Sequence, residues 1–209
     1  MILKNSFVKH CYLIGIFLFS TLAIQAQDSS NFTIAFGSCN RTDLPNNLWD
    51  DIYNTQPNLF IWGGDNVYAD TDNMKKLAAF YKTLNEQPGY AKIHAEIPVI
   101  GTWDDHDYGM NDGGAYFKAK AESQSVFLDF MGISKDSPRR KQEGIYWAHH
   151  YKKADLYIKV LVLDTRYFRS DLTPDRETSK RNKPNPYGQG TMLGDAQWEW
   201  LENELQDAS

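Results

Sequence analysis

Only 2 cysteines occur in 209 residues, and one of them, Cys11, falls in an apolar stretch at the very start of the chain. The remainder keeps a single thiol, Cys39, so an internal disulfide framework is excluded and the lone sulfur needs another explanation. Burial as a small apolar residue is one; ligation of a metal by its thiolate is another. Basic charge is also scarce, with 22 Lys and Arg against 27 Asp and Glu. A chain of that balance does not carry the electrostatic footprint of a nucleic-acid binder. Outside the first 26 residues no run approaches the roughly 20 apolar residues of a membrane span. Internal repeats and low-complexity tracts are lacking as well.

What is present begins with Lys4 and Lys9, an apolar run from Cys11 to Ile24, and small residues ending at Ala26 before Gln27-Asp28-Ser29-Ser30. This is the pattern of a secretory signal over residues 1–26, and it predicts an exported protein, periplasmic or extracellular. An uncleaved N-terminal anchor is the alternative. Removing the signal leaves 20 basic against 27 acidic residues, a net charge of −7. Residues 27–209 are long enough for one domain with a substantial core. The 42% hydrophobic and 23% charged content of the full 209-residue chain is that of a soluble globular protein.

Apolar runs of strand length alternate with segments of helical period. Strands are predicted over Asn31–Phe36, Leu59–Trp62 and Ile97–Trp103, then as an antiparallel pair over Ile145–Tyr151 and Leu156–Leu163. Helices are predicted over 46–54, 73–86, 90–95, 115–131 and 193–205, the last with Trp198, Leu201 and Leu205 on its apolar side. Residues 134–143 and 167–193 read as loops, the second of them of the length that usually belongs to a lid or to disorder. The order is that of an α/β fold.

The chemistry gathers where strands stop. Cys39, Asp65, the Asp104–Asp107 cluster and Asp164 each follow an apolar run, and that rim is where open α/β sheets collect ligands. Carboxylates held together there raise one another's pKa unless a cation sits among them. Oxygen donors suit hard ions such as Ca²⁺, Mn²⁺ or Fe³⁺, and the thiolate or a phenolate favours iron or zinc at one position. Such ions would clamp a phosphate and activate water, with His106 as general acid toward the leaving alkoxide. The plainer readings are that Asp65, or Asp70 and Asp72, cap the next helix. Asp164 and Arg166 read as a hydrogen-bonded corner, with a phosphate contact by Arg166 as the minor alternative. An exported, non-catalytic binding module held by calcium or another metal is the competing function.

Phe36-Gly-Ser-Cys39, Gly64-Asp-Asn-Val-Tyr68, Trp103-Asp-Asp-His106, Leu163-Asp-Thr-Arg166 and Leu193-Gly-Asp-Ala-Gln-Trp198 together resemble, in order and spacing, the alkaline phosphatase D-like metallophosphoesterases. The resemblance implies part of a four-layer αββα sandwich and hydrolysis of small phosphate mono- or diesters. It also implies Fe³⁺ and/or Ca²⁺, with Zn²⁺ or Mn²⁺ as other metals. It makes Cys39, Asp65, Tyr68 and Asp105 metal ligands, Asp65 bridging, and brings His106 to the phosphate. The family's Gly-Asp-x-His motif has no match here, and His94, His149 and His150 read as structural or surface residues. The chain is therefore expected to be the N-terminal portion of a longer domain, with an incomplete metal site.

Overall fold

The computed structural model describes residues 31–207; the secretory-signal pattern of residues 1–26 lies outside them. The chain divides into two compact units. Among the described residues the smaller contains Asn31 and Lys152–Tyr157. There Lys153 donates to the Asn31 carbonyl at 2.6 Å and Lys152 lies over the Tyr157 ring. Residues 32–151 and 158–207 form the larger unit, which carries the chemistry.

Three strands, β1 (Ile34–Gly37), β2 (Leu59–Gly63) and β3 (Val99–Thr102), make a parallel sheet in the order β1-β2-β3. Parallel neighbours need crossovers, here supplied by helices. Helix α1 (Leu48–Asn54) links β1 to β2, and α2 (Met74–Asn85) with α3 (Pro88–Glu96) links β2 to β3. Side chains alternate across β2. Phe60 and Trp62 enter the main core with Trp49, Leu77, Leu84, Tyr90 and Ile93, while Leu59 and Ile61 join Ile100, Val160 and Val162 on the opposite face. The second face packs on the two-stranded sheet of β4 (Trp147–Lys153) and β5 (Leu156–Val162). Helix α5 (Lys120–Phe130) packs against α2. Helix α6 (Gly194–Gln206) reaches β5 where Lys159 donates to the Glu204 carbonyl at 3.0 Å.

Several boundaries differ from the periodicity. Ile97 caps α3 and Pro98 precedes β3, so the third strand starts two residues later than its apolar run. Residues 115–119 form turns, because Ala115 N–H is drawn to the Arg169 carbonyl at 2.9 Å instead of into a helix. The long segment 167–193 contains a small antiparallel pair, β6 (Thr173–Pro174) with β7 (Asn182–Lys183). Trp198 and Leu205, expected on the buried side of α6, are exposed. The face that does enter the core carries Gly194 and the fully buried Gln197, whose amide brackets the backbone of Asp164 through Oε1 and Nε2, each at 2.8 Å.

One glycine, Gly64, opens the way to the rim. Gly64 has φ +100°, and a Cβ there would lie 2.7 Å from both Cβ and N of Asp104. The two acidic loops therefore touch backbone to backbone at a position that only glycine fits.

Candidate metal centre

Helix α4 (Asp105–Tyr108) is the element that the sequence does not announce. A single turn begins directly after Trp103, with Asp104 at its N-cap and Asp107 at N3. Asp107 is fully buried and accepts from three backbone N–H groups: Asp104 at 2.7 Å, Asn66 at 3.1 Å and Asp65 at 3.2 Å. Tyr81 Oη adds a fourth bond at 3.3 Å. One carboxylate thus ties the loop after β2 to the loop after β3. Burial pushes Asp107 well above the usual carboxylate range against the pull of those N–H groups.

That tie brings together the side chains expected from the sequence. Ligand atoms of Asp65, Asp105 and His106 lie within 4.8 Å of one another. Cys39 Sγ is 4.0 Å from Asp65 Oδ2, and Asp65 and Cys39 are both close enough to the Tyr68 phenol to raise its pKa. Cys39 is exposed, which removes the buried-apolar explanation for the lone thiol. Backbone contacts join the first loop to the second, Cys39 N–H to the Gly64 carbonyl at 3.1 Å and Asn40 N–H to the Asp65 carbonyl at 2.8 Å. Cys39 and Asp65 both adopt left-handed conformations, φ 55° and 51°. Non-glycine residues hold that conformation only where their surroundings over-determine it.

The electrostatics are those of a cation site. Burial raises the Asp65 carboxyl, and repulsion from Asp104 and Asp105 raises it further. Asp105 is lowered instead: burial opposes ionisation, but the Asp112 N–H, at 2.7 Å from Oδ2, and the Arg166 guanidinium outweigh it. Burial, then Asp65 and Cys39, lift the Tyr68 phenol. Burial pulls His106 down, yet its bond to Asp70 and the charges of Asp70, Asp65 and Asp105 leave it above the ordinary imidazole value.

Asp104 and Asp105 separate by direction. Asp104 turns to Arg166, Oδ1 to Nε 2.5 Å, while Asp105 joins Asp65. Asp164 does not belong to the cluster although it ends a strand. Its Oδ1 takes the Trp103 indole N–H at 2.9 Å and the backbone N–H of Arg166 and Tyr167, and its Oδ2 takes Ile145 N–H at 3.0 Å. It is the post of the hydrogen-bonded corner that the sequence suggests. Asp70 and Asp72 do not cap α2. Asn73 does, accepting from Lys75 N–H and Lys76 N–H. Asp70 faces His106 instead, Oδ2 to Nδ1 2.7 Å. Asp70, read from the sequence as a helix cap, and Asp107, read only as part of the Asp104–Asp107 cluster, thus take roles that residue spacing did not separate. His94 is exposed and stacks on Tyr90, and His149 is half-buried in β4.

An α/β domain whose parallel strands end in two carboxylates and an imidazole converging on one point, with a thiol beside one carboxylate and a phenol ring on the imidazole, is the class that this geometry defines. The donor set fits a multivalent cation: two carboxylates that repel each other, flanked by softer and aromatic donors. The chain belongs to the PhoD-like phosphatase family, whose family model matches residues 34–209. It is 26% identical over 224 residues to alkaline phosphatase D of Bacillus subtilis (strain 168), an alignment covering 88% of this chain and 36% of that protein. A solved structure, "Structure of PhoD", superposes with a TM-score of 0.64 at 21% identity, covering 85% of this chain and 39% of the other. The chain therefore spans well under half the length of these relatives.

Proposed function

We propose that this chain is the N-terminal, metal-binding part of an exported phosphoric ester hydrolase acting on small phosphate mono- or diesters. The observation that carries the reading is the convergence of Asp65, Asp105 and His106 within 4.8 Å, from loops after two parallel strands, in a member of a phosphatase family. Asp65 and Asp105 would hold the metal, with the Cys39 thiolate and the Tyr68 phenolate as further donors. Fe³⁺ and/or Ca²⁺ suit that mixture, with Zn²⁺ or Mn²⁺ as substitutes. A bound cation supplies Lewis acidity, polarising the phosphoryl oxygen and lowering the pKa of water.

The remaining tasks fall to the protein's own groups. His106 has Nδ1 engaged with Asp70 and keeps Nε2 for the substrate. Its pKa lies above the ordinary imidazole value, and this reading makes it the proton donor to the oxygen of the departing alcohol. Arg166 steadies the second acidic loop through Asp104 and the Gly113 carbonyl. The pattern of residues 1–26 supports export, and no helix among the described residues is long and apolar enough to cross a membrane.

The test is hydrolysis of p-nitrophenyl phosphate and bis(p-nitrophenyl) phosphate with added Fe³⁺ and Ca²⁺. Turnover that a chelator abolishes, lost in Asp65→Ala and kept in Asp72→Ala, is expected; Asp72 is exposed and outside the cluster. Metal binding without turnover would favour the non-catalytic module.

A further inference from the structure

Just past Cys39 the first loop carries a cation that metal binding does not call for. Arg41 follows the Phe36-Gly-Ser-Cys39 motif without belonging to it. Its Cζ lies 5.5 Å from the centroid of the Tyr68 ring, and that ring lies 4.3 Å from the His106 imidazole. Asp43 holds the guanidinium by two bonds, Nε to Oδ1 at 2.7 Å and Nη2 to Oδ2 at 2.6 Å. We propose that Arg41 is a specificity-determining residue, binding a second anionic group on the alcohol portion of the substrate. That group would sit one ring's width beyond the phosphate that is cleaved. The inference deepens the reading of Asp65, Asp105 and His106 as a phosphoesterase site and rests on it.

The loop that carries Arg41 is tied to the acidic loop beside it. Asn40 N–H donates to the Asp65 carbonyl at 2.8 Å and Asn40 Nδ2 to the Asn66 carbonyl at 3.2 Å. Leu44 N–H closes a turn on the Arg41 carbonyl at 3.2 Å. The guanidinium is thereby aimed from two directions, by Asp43 along one edge and by the Tyr68 ring beneath it. It still has donors to spare. A guanidinium carries five N–H groups, Asp43 takes two of them, and the side chain is 51% exposed. Arg166, by contrast, is 12% exposed and gives its donors to Asp104 and the Gly113 carbonyl. An exposed ion pair such as Arg41–Asp43 contributes little to folding, so stability does not account for the arrangement.

Room for the alcohol lies alongside. A cavity of about 580 Å³ opens beside Cys39, and among the described residues that line it Arg41 alone is charged. Phe36, Leu44 and Leu48 line it too, and each is more than half exposed. Apolar walls with one forked cation suit a short apolar stem that ends in a carboxylate or a second phosphate. Such a substrate would place its scissile phosphate at the Asp65–Asp105–His106 cluster and its far end on Arg41.

Binding of two phosphonates to the metal-loaded full chain tests the assignment without turnover. Butylphosphonate and 4-phosphonobutyrate share a stem and a phosphonate that cannot be hydrolysed, and only the second ends in a carboxylate. By calorimetry the wild type should bind 4-phosphonobutyrate roughly 3- to 10-fold more tightly, the scale of a solvent-exposed, charge-assisted hydrogen bond. Arg41→Ala should bring the two to equal affinity and leave butylphosphonate unchanged. Lys135→Ala, which removes a surface cation paired with Asp129, should keep the preference. No preference in the wild type, or one that survives in Arg41→Ala, overturns the proposal and leaves the phosphoesterase reading standing. Equal loss of both ligands in Arg41→Ala and Arg41→Gln also overturns it, because the residue then serves the site as a whole. If neither phosphonate binds the wild type, the phosphoesterase reading has failed and the assignment falls with it.

Discussion

Asp107 sets the distance between the two acidic loops, and its surroundings make the cost of losing it calculable in outline. It is completely buried and takes four hydrogen bonds, three from backbone N–H groups. Asp107→Asn puts an amide NH₂ against at least one of those donors. Leaving a buried donor unmet costs about 1–3 kcal/mol, so the variant should lose about that much in urea unfolding. It should also bind metal more weakly, because Asp65 and Asp105 are no longer held in register. His106 gives a pH dependence at the same scale. With His106 raised and Asp65 raised, turnover should fall at the alkaline side as the imidazole loses its proton. It should fall at the acid side as Asp65 gains one. A bell-shaped pH profile of kcat whose alkaline limb vanishes in His106→Ala checks both signs.

At the scale of elements, the turn between β2 and the Asp65 loop depends on Gly64. With φ +100° and Asp104 at 2.7 Å from any added Cβ, Gly64→Ala should cost about 2–3 kcal/mol of stability and scatter the cluster. The melting temperature and metal affinity of the variant measure both. Strand β4 carries a second pH effect. Burial, with Arg139 and His150 adding to it, pulls His149 down to about 4. The unfolded chain binds that proton near 6.5 and the folded chain does not, so stability is intact above about 6.5 and declines as pH falls toward about 4. Screening reduces the loss to about 1–3 kcal/mol. His149→Gln should flatten this part of the stability curve.

The legible parts of the fold share one property: their signal is local. The start of β2 at Leu59 and the span of α2 follow from apolar periodicity within a dozen residues. Cys39, Asp65, Tyr68, Asp105 and His106 stand out in the sequence by their motifs; the structure places Asp65, Asp105 and His106 within 4.8 Å of one another, Cys39 4.0 Å from Asp65, and the Tyr68 ring on His106. Helix α4 is a single turn of Asp-His-Asp-Tyr, too short for any period to show. Asp107's burial and Asp70's bond to His106 both arise from segments more than 35 residues apart in sequence meeting in space, |i−j| being 42 and 36. Asp164 is legible as well, as the post of a hydrogen-bonded corner. It stands after a strand like the others, but its oxygens are spent on the corner that Gln197 clamps from α6.

For the whole molecule, the parallel sheet acts as a frame. Its two faces are closed by the aromatic core on one side and the β4–β5 pair on the other, so the strand ends are free to carry chemistry. The exposed thiol and the mutually repelling carboxylates gain nothing from one another without a cation. Thermal unfolding of the purified chain with and without Fe³⁺ or Ca²⁺ tests this most directly. An ion at about 100 times its Kd adds about 2.7 kcal/mol, which for a domain of this size is a rise of roughly 5–10 °C in Tm. That rise should saturate, vanish in Asp65→Ala and persist in Asp72→Ala. An unfolding curve indifferent to both ions, or one raised equally in Asp65→Ala, would contradict the account.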